Sequence, residues 1–208
     1  GTRSFDIVYE FTRQSVCHLF KQGCQLVILA CNTATTTSIS HLRTLFPNLI
    51  FVGTEPALKT AQNKYFIKPA IIATPQTIKH LNCQKSGTVH TLARTKFASA
   101  IERYMLYPSY QNKFNLIKEI YVIISKIKND DCLVLGCTHY SIIKNYLQKH
   151  IKKEVIDGNQ AIASQIKSKA TNITSNTRIK IILSSKNRQE LQNYKKILNQ
   201  ILANQINL

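Results

Sequence analysis

Two cysteines stand in matching contexts, Cys31 within ACNTAT and Cys137 within LGCTHY, 106 residues apart. Each closes a short apolar run, Leu26 to Ala30 before the first and Leu133 to Gly136 before the second. Each is followed by asparagine or threonine, residues that open and cap helices. A thiolate is both base and nucleophile, and a helix N-terminus lowers a cysteine's pKa from its ordinary value of about 8.5. One such thiol suits acyl or phosphoryl transfer. Two thiols facing each other across a cleft suit a different task, in which one removes a proton from one face of a carbon and the other returns a proton to the opposite face. That chemistry is racemisation, and it needs no cofactor. Asn32, Thr33 and Thr138 offer donors beside the cysteines, and exposed helix N-termini suit carboxylates. His139, close to Cys137 in the chain, can hold or move its proton. The groups therefore fit an amino-acid substrate. A cysteine or histidine taken alone is more often a packed residue than a catalyst, and it is the repeated context that argues for chemistry.

Such thiols need strands that end at one place and helices that begin there. Short unbroken apolar runs predict strands buried on both faces of a parallel sheet, and open α/β sheets bind ligands at the carboxyl ends of their strands. The patterns predict strands at 26–30, 49–52, 69–74, 133–136, 154–156 and 179–183. Helices are predicted over 4–23, from the Asn32 and threonine run after Cys31 on through 38–46, from 56 through 62, from Pro75 onward, and over 112–128, 141–150, 159–168 and 186–204, with 171–177 a polar loop. Residues 82–115 read least clearly, as a strand at 88–93, a short helix or loop at 97–103 and a loop at 104–110. Strand and helix alternate, which gives an α/β fold. The doubled corner predicts two pseudo-symmetric lobes, each a mainly parallel sheet flanked by helices, with the active-site cleft between them. The crossing falls near residues 55–68, giving one lobe of 1–55 plus 160–208 and another of 56–159. Glu55 can orient a ligand or a catalytic group, although a glutamate favourable to a helix dipole at its entry is the commoner role.

Composition narrows the classes. The formal net charge is +18, which raises nucleic acid as a partner. The 21 Lys are scattered, however, and with 27 Ile and 16 Asn they are the residues of A/T-rich codons, so codon bias accounts for the charge. No nucleic-acid module motif appears, and a solvated basic surface that attracts anionic substrates is the preferred reading over a nucleic-acid binder. Six cysteines without a C-x-x-C pair suggest neither a disulfide framework nor a metal site, and a reducing cytoplasm is the simplest compartment. Cys17, Cys24 and Cys132 read as small packed hydrophobes. No apolar stretch is long enough to span a membrane, and the first residues lack the apolar core of a signal peptide.

At ACNTAT and LGCTHY the chain resembles the two signature cysteine motifs of the glutamate racemases, within the aspartate/glutamate racemase superfamily. Weaker likenesses surround them: GTRS at the start, GTEPA at 53–57, ATPQT at 73–77, KFASAIE at 96–102 and IDGNQAIA at 156–163. The resemblance implies that Cys31 and Cys137 are the acid/base pair, that Asn32, Thr33, Thr77, Thr138 and the backbone of Gly1 bind substrate, and that Glu102 and His139 assist on the Cys137 side. It implies interconversion of L- and D-glutamate with no cofactor and no metal, supplying D-glutamate for peptidoglycan in the bacterial cytoplasm, often as a dimer. The family also carries an Asp-Ser-Gly strand ahead of the stretch that GTRS resembles. A chain beginning after that strand is expected to have an open sheet edge and a Cys31 without its carboxylate helper, and the alternative function is then a folded remnant that binds ligand or a partner without catalysis.

Overall fold

The computed structural model describes residues 3–84, 89–170 and 187–202. The amphipathic helix α1 (Phe5–Lys21) stops where Gly23 takes a left-handed backbone at φ 81°, which costs glycine little. The chain then enters β1 (Leu26–Leu29), α2 (Asn32–Leu45) and β2 (Ile50–Gly53). β1 and β2 are parallel, with Leu26 opposite Ile50 and Leu29 opposite Gly53. Because strand side chains alternate, Val27, Leu29 and Phe51 face inward and form a core with Val16, Leu42 and Leu49. Ile28 points the other way and is 41% exposed, so β1 is buried on one face here rather than on two.

The second sheet follows α3 (Leu58–Asn63) and holds β3 (Pro69–Ala73), β4 (His90–Ala93), β5 (Cys132–Gly136) and β6 (Glu154–Ile156), all parallel in the order β4-β3-β5-β6. Between these strands run α4 (Pro75–Gln84), α5 (Phe97–Leu106), α6 (Tyr110–Lys126), α7 (Thr138–Ser141) and α8 (Lys144–His150). Every residue of β3 and β5 is buried, as expected of central strands covered on both sides. On one face Ala70, Ile72, Leu133 and Leu135 pack against Phe97, Ile101, Ile123, Tyr140 and Leu147. On the other, Ile71, Ala73, Cys132 and Val134 meet Ala57, Leu58, Ala61 and Ile78.

α9 (Asn159–Lys169) returns to the first sheet, packing on β2 with Lys169 Nζ donating to the Phe51 carbonyl at 3.3 Å. α10 (Arg188–Leu202) lies against α5, where Asn193 Nδ2 donates to the Leu106 carbonyl at 2.8 Å and the Tyr194 hydroxyl donates to Glu102 at 2.6 Å.

α2 opens at Asn32 as the capping residues after Cys31 predict, and its threonines bond to the strand ends instead of breaking the helix. Other boundaries differ from the sequence pattern for physical reasons. α5 runs on to Leu106, since Phe97, Ile101 and Leu106 bury along one side. The helix expected over 141–150 divides into α7 and α8, where Ile142 and Ile143 N–H groups turn back tightly to the His139 and Tyr140 carbonyls. Glu55 precedes the Ala57 cap of α3 and lies outside its first turn, so it does not serve that helix's entry. The loop expected at 171–177, the strand expected at 179–183 and Gly1 lie outside the described residues. No described helix is long and apolar enough to cross a membrane.

Candidate active site

Cys31 and Cys137 occupy the same structural position twice. Cys31 is the N-cap of α2, two residues past β1, with extended backbone at φ −121°, ψ 120°. Cys137 is the N-cap of α7, directly after β5, at φ −148°, ψ 135°. In both, the cysteine carbonyl begins the helix, accepting from the Thr35 N–H at 2.8 Å and from the Tyr140 N–H at 3.0 Å.

A threonine-rich first turn is a poor helix former by propensity, and here long-range bonds compensate. The Thr35 hydroxyl donates to the Leu29 carbonyl at 3.0 Å and accepts from the Thr54 N–H at 3.0 Å. The Thr54 hydroxyl donates to the same Leu29 carbonyl at 2.6 Å. These bonds fasten the start of α2 to the carboxyl ends of both strands of the first sheet and hold Cys31 at its rim, where it is exposed.

Cys137 is half-buried, and burial pushes its thiol up from the ordinary range. The backbone N–H of His139 opposes that rise, the negative charge available on Cys31 adds to it, and the Tyr140 N–H opposes it again. The His139 ring reaches Cys137 through Nδ1, 4.0 Å from Sγ. Behind it Tyr140 is fully buried, its ring 4.7 Å from that of Phe97, which fixes the short helix that carries His139.

Asn32 and Thr138, the first residues of α2 and α7, share a crevice with Cys137, together with Thr54, Glu55, Ser141 and Asn159. Thr33 and Thr77 meet directly, hydroxyl to hydroxyl at 3.3 Å, and Thr74 joins both at 2.9 Å and 3.1 Å. Glu102 sits on α5 with its carboxylate held by Tyr194, and that carboxylate pushes the Tyr194 hydroxyl up to about 12. The structure thus gathers Asn32, Thr33, Thr77, Cys137, Thr138 and His139 around the seam between the lobes.

Thr35, Thr54, Thr74, Ser141 and Asn159 are the members that the residue pattern did not single out. Thr35, Thr54, Thr74 and Asn159 lie inside the family-like stretches ACNTAT, GTEPA, ATPQT and IDGNQAIA but were given no role there, and Ser141 lies in none of them. No three His, Cys, Asp or Glu side chains are grouped to hold a metal ion among the described residues.

The sequence matches the model of the family described as Asp/Glu/Hydantoin racemase over residues 11–166. It is 33% identical over 180 residues to a glutamate racemase of Clostridium botulinum, covering 80% of this chain and 67% of that one. To a glutamate racemase of Fusobacterium nucleatum it is 35% identical over 149 residues, covering 66% of this chain and 53% of the other. The chain therefore spans from about half to about two-thirds of the length of these relatives. In three dimensions it is similar to Escherichia coli glutamate racemase in complex with L-glutamate and the activator UDP-MurNAc-Ala, with a TM-score of 0.75 at 20% identity over 94% of this chain and 80% of that one. A Francisella tularensis glutamate racemase in complex with D-glutamate gives a TM-score of 0.73 at 21% identity, over 95% of this chain and 78% of that one. At such identities the likeness speaks for the shared two-lobe fold.

Proposed function

Because the chain belongs to the Asp/Glu/hydantoin racemase family, we propose that it interconverts L- and D-glutamate through Cys31 and Cys137 acting as opposed acid and base. The observation that carries this reading is the doubled strand–cysteine–helix corner, which sets Cys31 and Cys137 in equivalent places past the carboxyl ends of β1 and β5. In one direction a thiolate takes the Cα proton and the carbanion left behind receives a proton from the opposite thiol. The reverse direction exchanges the two roles, and each turnover leaves the cysteine pair with one proton relocated and none lost.

Asn32, Thr33 and Thr138, at the opening turns of α2 and α7, would hold the substrate carboxylates by side-chain and backbone donors. Burial keeps Cys137 protonated, which suits it to donate first, and His139 at 4.0 Å can accept its proton when it must act as the base. Glu102 is proposed to assist that side and Thr77 to complete the substrate contacts. The proposed lobes are 1–55 with 160–208 and 56–159; α9 against β2 supports the return to the first lobe, while α10 reaches across to α5. The proposed role is supply of D-glutamate for peptidoglycan in a bacterial cytoplasm, with a homodimer as a candidate assembly.

The test is incubation of the chain with L- or D-glutamate in heavy water, following deuterium at Cα and the appearance of the other enantiomer. Exchange with inversion from both enantiomers is the expected result. Glutamate binding without any Cα exchange would replace this reading with that of a ligand-binding relative that does not catalyse.

A further inference from the structure

Three buried hydroxyls meet where the lobes touch. Thr33 comes from α2 beside Cys31, Thr74 from the end of β3 and Thr77 from the first turn of α4. Their oxygens lie 2.9 Å (Thr33 to Thr74), 3.1 Å (Thr74 to Thr77) and 3.3 Å (Thr33 to Thr77) apart. All three residues are buried, Thr77 completely. Within the first lobe Thr35 and Thr54 bond to the Leu29 strand carbonyl, whereas this group bonds across the seam.

We propose that Thr74 is a positioning residue whose hydroxyl links Thr33 of one lobe to Thr77 of the other and aims their protons at the substrate; this deepens the racemase reading and rests on it. Each hydroxyl has one proton and two lone pairs, so three of them can close a ring that consumes every proton internally. A carboxylate arriving at the ring takes one proton outward, and the donor it recruits still accepts from a neighbour, so no buried oxygen is orphaned.

Thr74 is the member least free to turn. The Thr77 N–H points to its oxygen at 3.4 Å, and the Ile78 N–H binds its carbonyl at 3.0 Å, as befits the residue ahead of α4. With one lone pair so directed, Thr74 keeps its proton inside the ring and makes the shortest of the three contacts, to Thr33. Thr33 and Thr77 are left as the hydroxyls that rotate. Because the Thr33 bonds cross the seam, the same group that orients the donors also fastens the lobes in register on the substrate.

Calorimetric binding of glutamate and Cα-exchange kinetics of the parent, Thr74→Val and Thr74→Ser test this. Thr74→Val should raise the glutamate dissociation constant and KM by about tenfold, the scale of one hydrogen bond, with a smaller change in kcat. Thr74→Ser should return both to within about twofold of the parent, because it restores the hydroxyl. Thr33→Val and Thr74→Val together should cost less than the product of their separate effects. If Thr74 only caps α4, Thr74→Val lowers the melting temperature and leaves the dissociation constant of the folded protein unchanged, which overturns the proposal. Failure of Thr74→Ser to rescue, or independent effects of Thr33→Val and Thr74→Val, overturns it as well. A parent that binds glutamate without Cα exchange overturns the racemase reading alone, since the binding arm still decides on Thr74; a parent that does not bind glutamate overturns both.

Discussion

At the first corner β1 has β2 as its described neighbour, turns Ile28 outward, and delivers an exposed Cys31 to a helix of 14 residues. At the second, β5 runs between β3 and β6, is buried at all five residues, and delivers a half-buried Cys137 to a helix of only four. The plan is repeated and the solvation is not. A thiol at a wet rim exchanges protons with water directly. A thiol at the end of a dry central strand is held protonated by desolvation and needs a local partner, and the second corner has one in His139 where the first has Asn32 and threonines. Two cysteines proposed to share one role are thereby made unequal by the sheets that carry them.

The largest effect that could break this comparison is removal of either sulfur. Cys31→Ala and Cys137→Ala should each lower racemisation by about 10² to 10⁴, the usual worth of a positioned acid or base. Each variant should still exchange the Cα proton of one enantiomer, and the enantiomer should differ between the two. If both variants exchange the same enantiomer, or either racemises at the parent rate, the cysteines do not serve opposite faces.

Next in size is the rigidity of the two strand ends, probed by glycine. A Cβ on Gly136 would lie 2.7 Å from Ala73 Cβ and 3.0 Å from the Ile72 carbonyl oxygen, neither of which can move aside. A Cβ on Gly53 would meet Thr35 Cγ2 at 2.5 Å and Ile39 Cδ1 at 2.6 Å, of which the isoleucine tip can swing away. Overpacking of this kind costs about 1–3 kcal/mol. Gly136→Ala should therefore destabilise at the upper end of that range and Gly53→Ala at the lower, as read by urea denaturation. The reverse order would mean that the first corner, tied by Thr35 and Thr54, is the stiffer one.

What was legible in the sequence followed the same division. Both corners could be read because each is a local signal, an apolar run ending in Cys and a capping residue, and β6 was placed at 154–156 as found. The outward face of Ile28 was not legible, because an apolar run looks alike whether one face or two are covered. The opening of α2 after Cys31 was legible from its capping residues, but the bonds that compensate its threonines were not, since Thr35 reaches Leu29 and Thr54, the latter 19 residues away. The Thr33–Thr74 bond spans 41 residues and the Tyr194–Glu102 bond 92, and no local pattern announces either.

The pH response of catalysis sharpens the comparison further. With Cys137 held above the ordinary thiol range by burial, the direction that needs its thiolate should keep accelerating as pH rises past about 8.5, while the direction that uses it as acid should not. His139→Asn should slow the thiolate-dependent direction more, by up to about a hundredfold at neutral pH, and the gap should narrow in alkali. Equal losses in both directions at every pH would assign His139 to packing rather than to proton transfer.

The smallest effect concerns stability, at the first residue of β5. Cys132 has no exposed surface, and burial, with the charges of Glu154, Asp131 and Asp130 adding to it, pushes its thiol up to about 11. In the unfolded chain the same thiol ionises near its ordinary value of about 8.5. Below that value both states hold the proton and Cys132 leaves stability independent of pH. Between there and about 11 the unfolded state has lost the proton that the folded state keeps, so the unfolded state binds fewer protons and stability falls as pH rises. Cys137 and Tyr140 are raised too and slope the same way, so the parent curve alone does not isolate Cys132. The informative quantity is the difference between the parent and Cys132→Ala in urea midpoints at pH 7, 8.5 and 10 under reducing conditions. Cys132→Ala starts lower because of its cavity, and the gap should shrink steadily above pH 8.5 as the parent loses what the variant no longer has to lose. A gap constant from pH 7 to 10 would mean that water reaches the start of β5, and the contrast between a dry corner and a wet one would not extend to the foot of its strand.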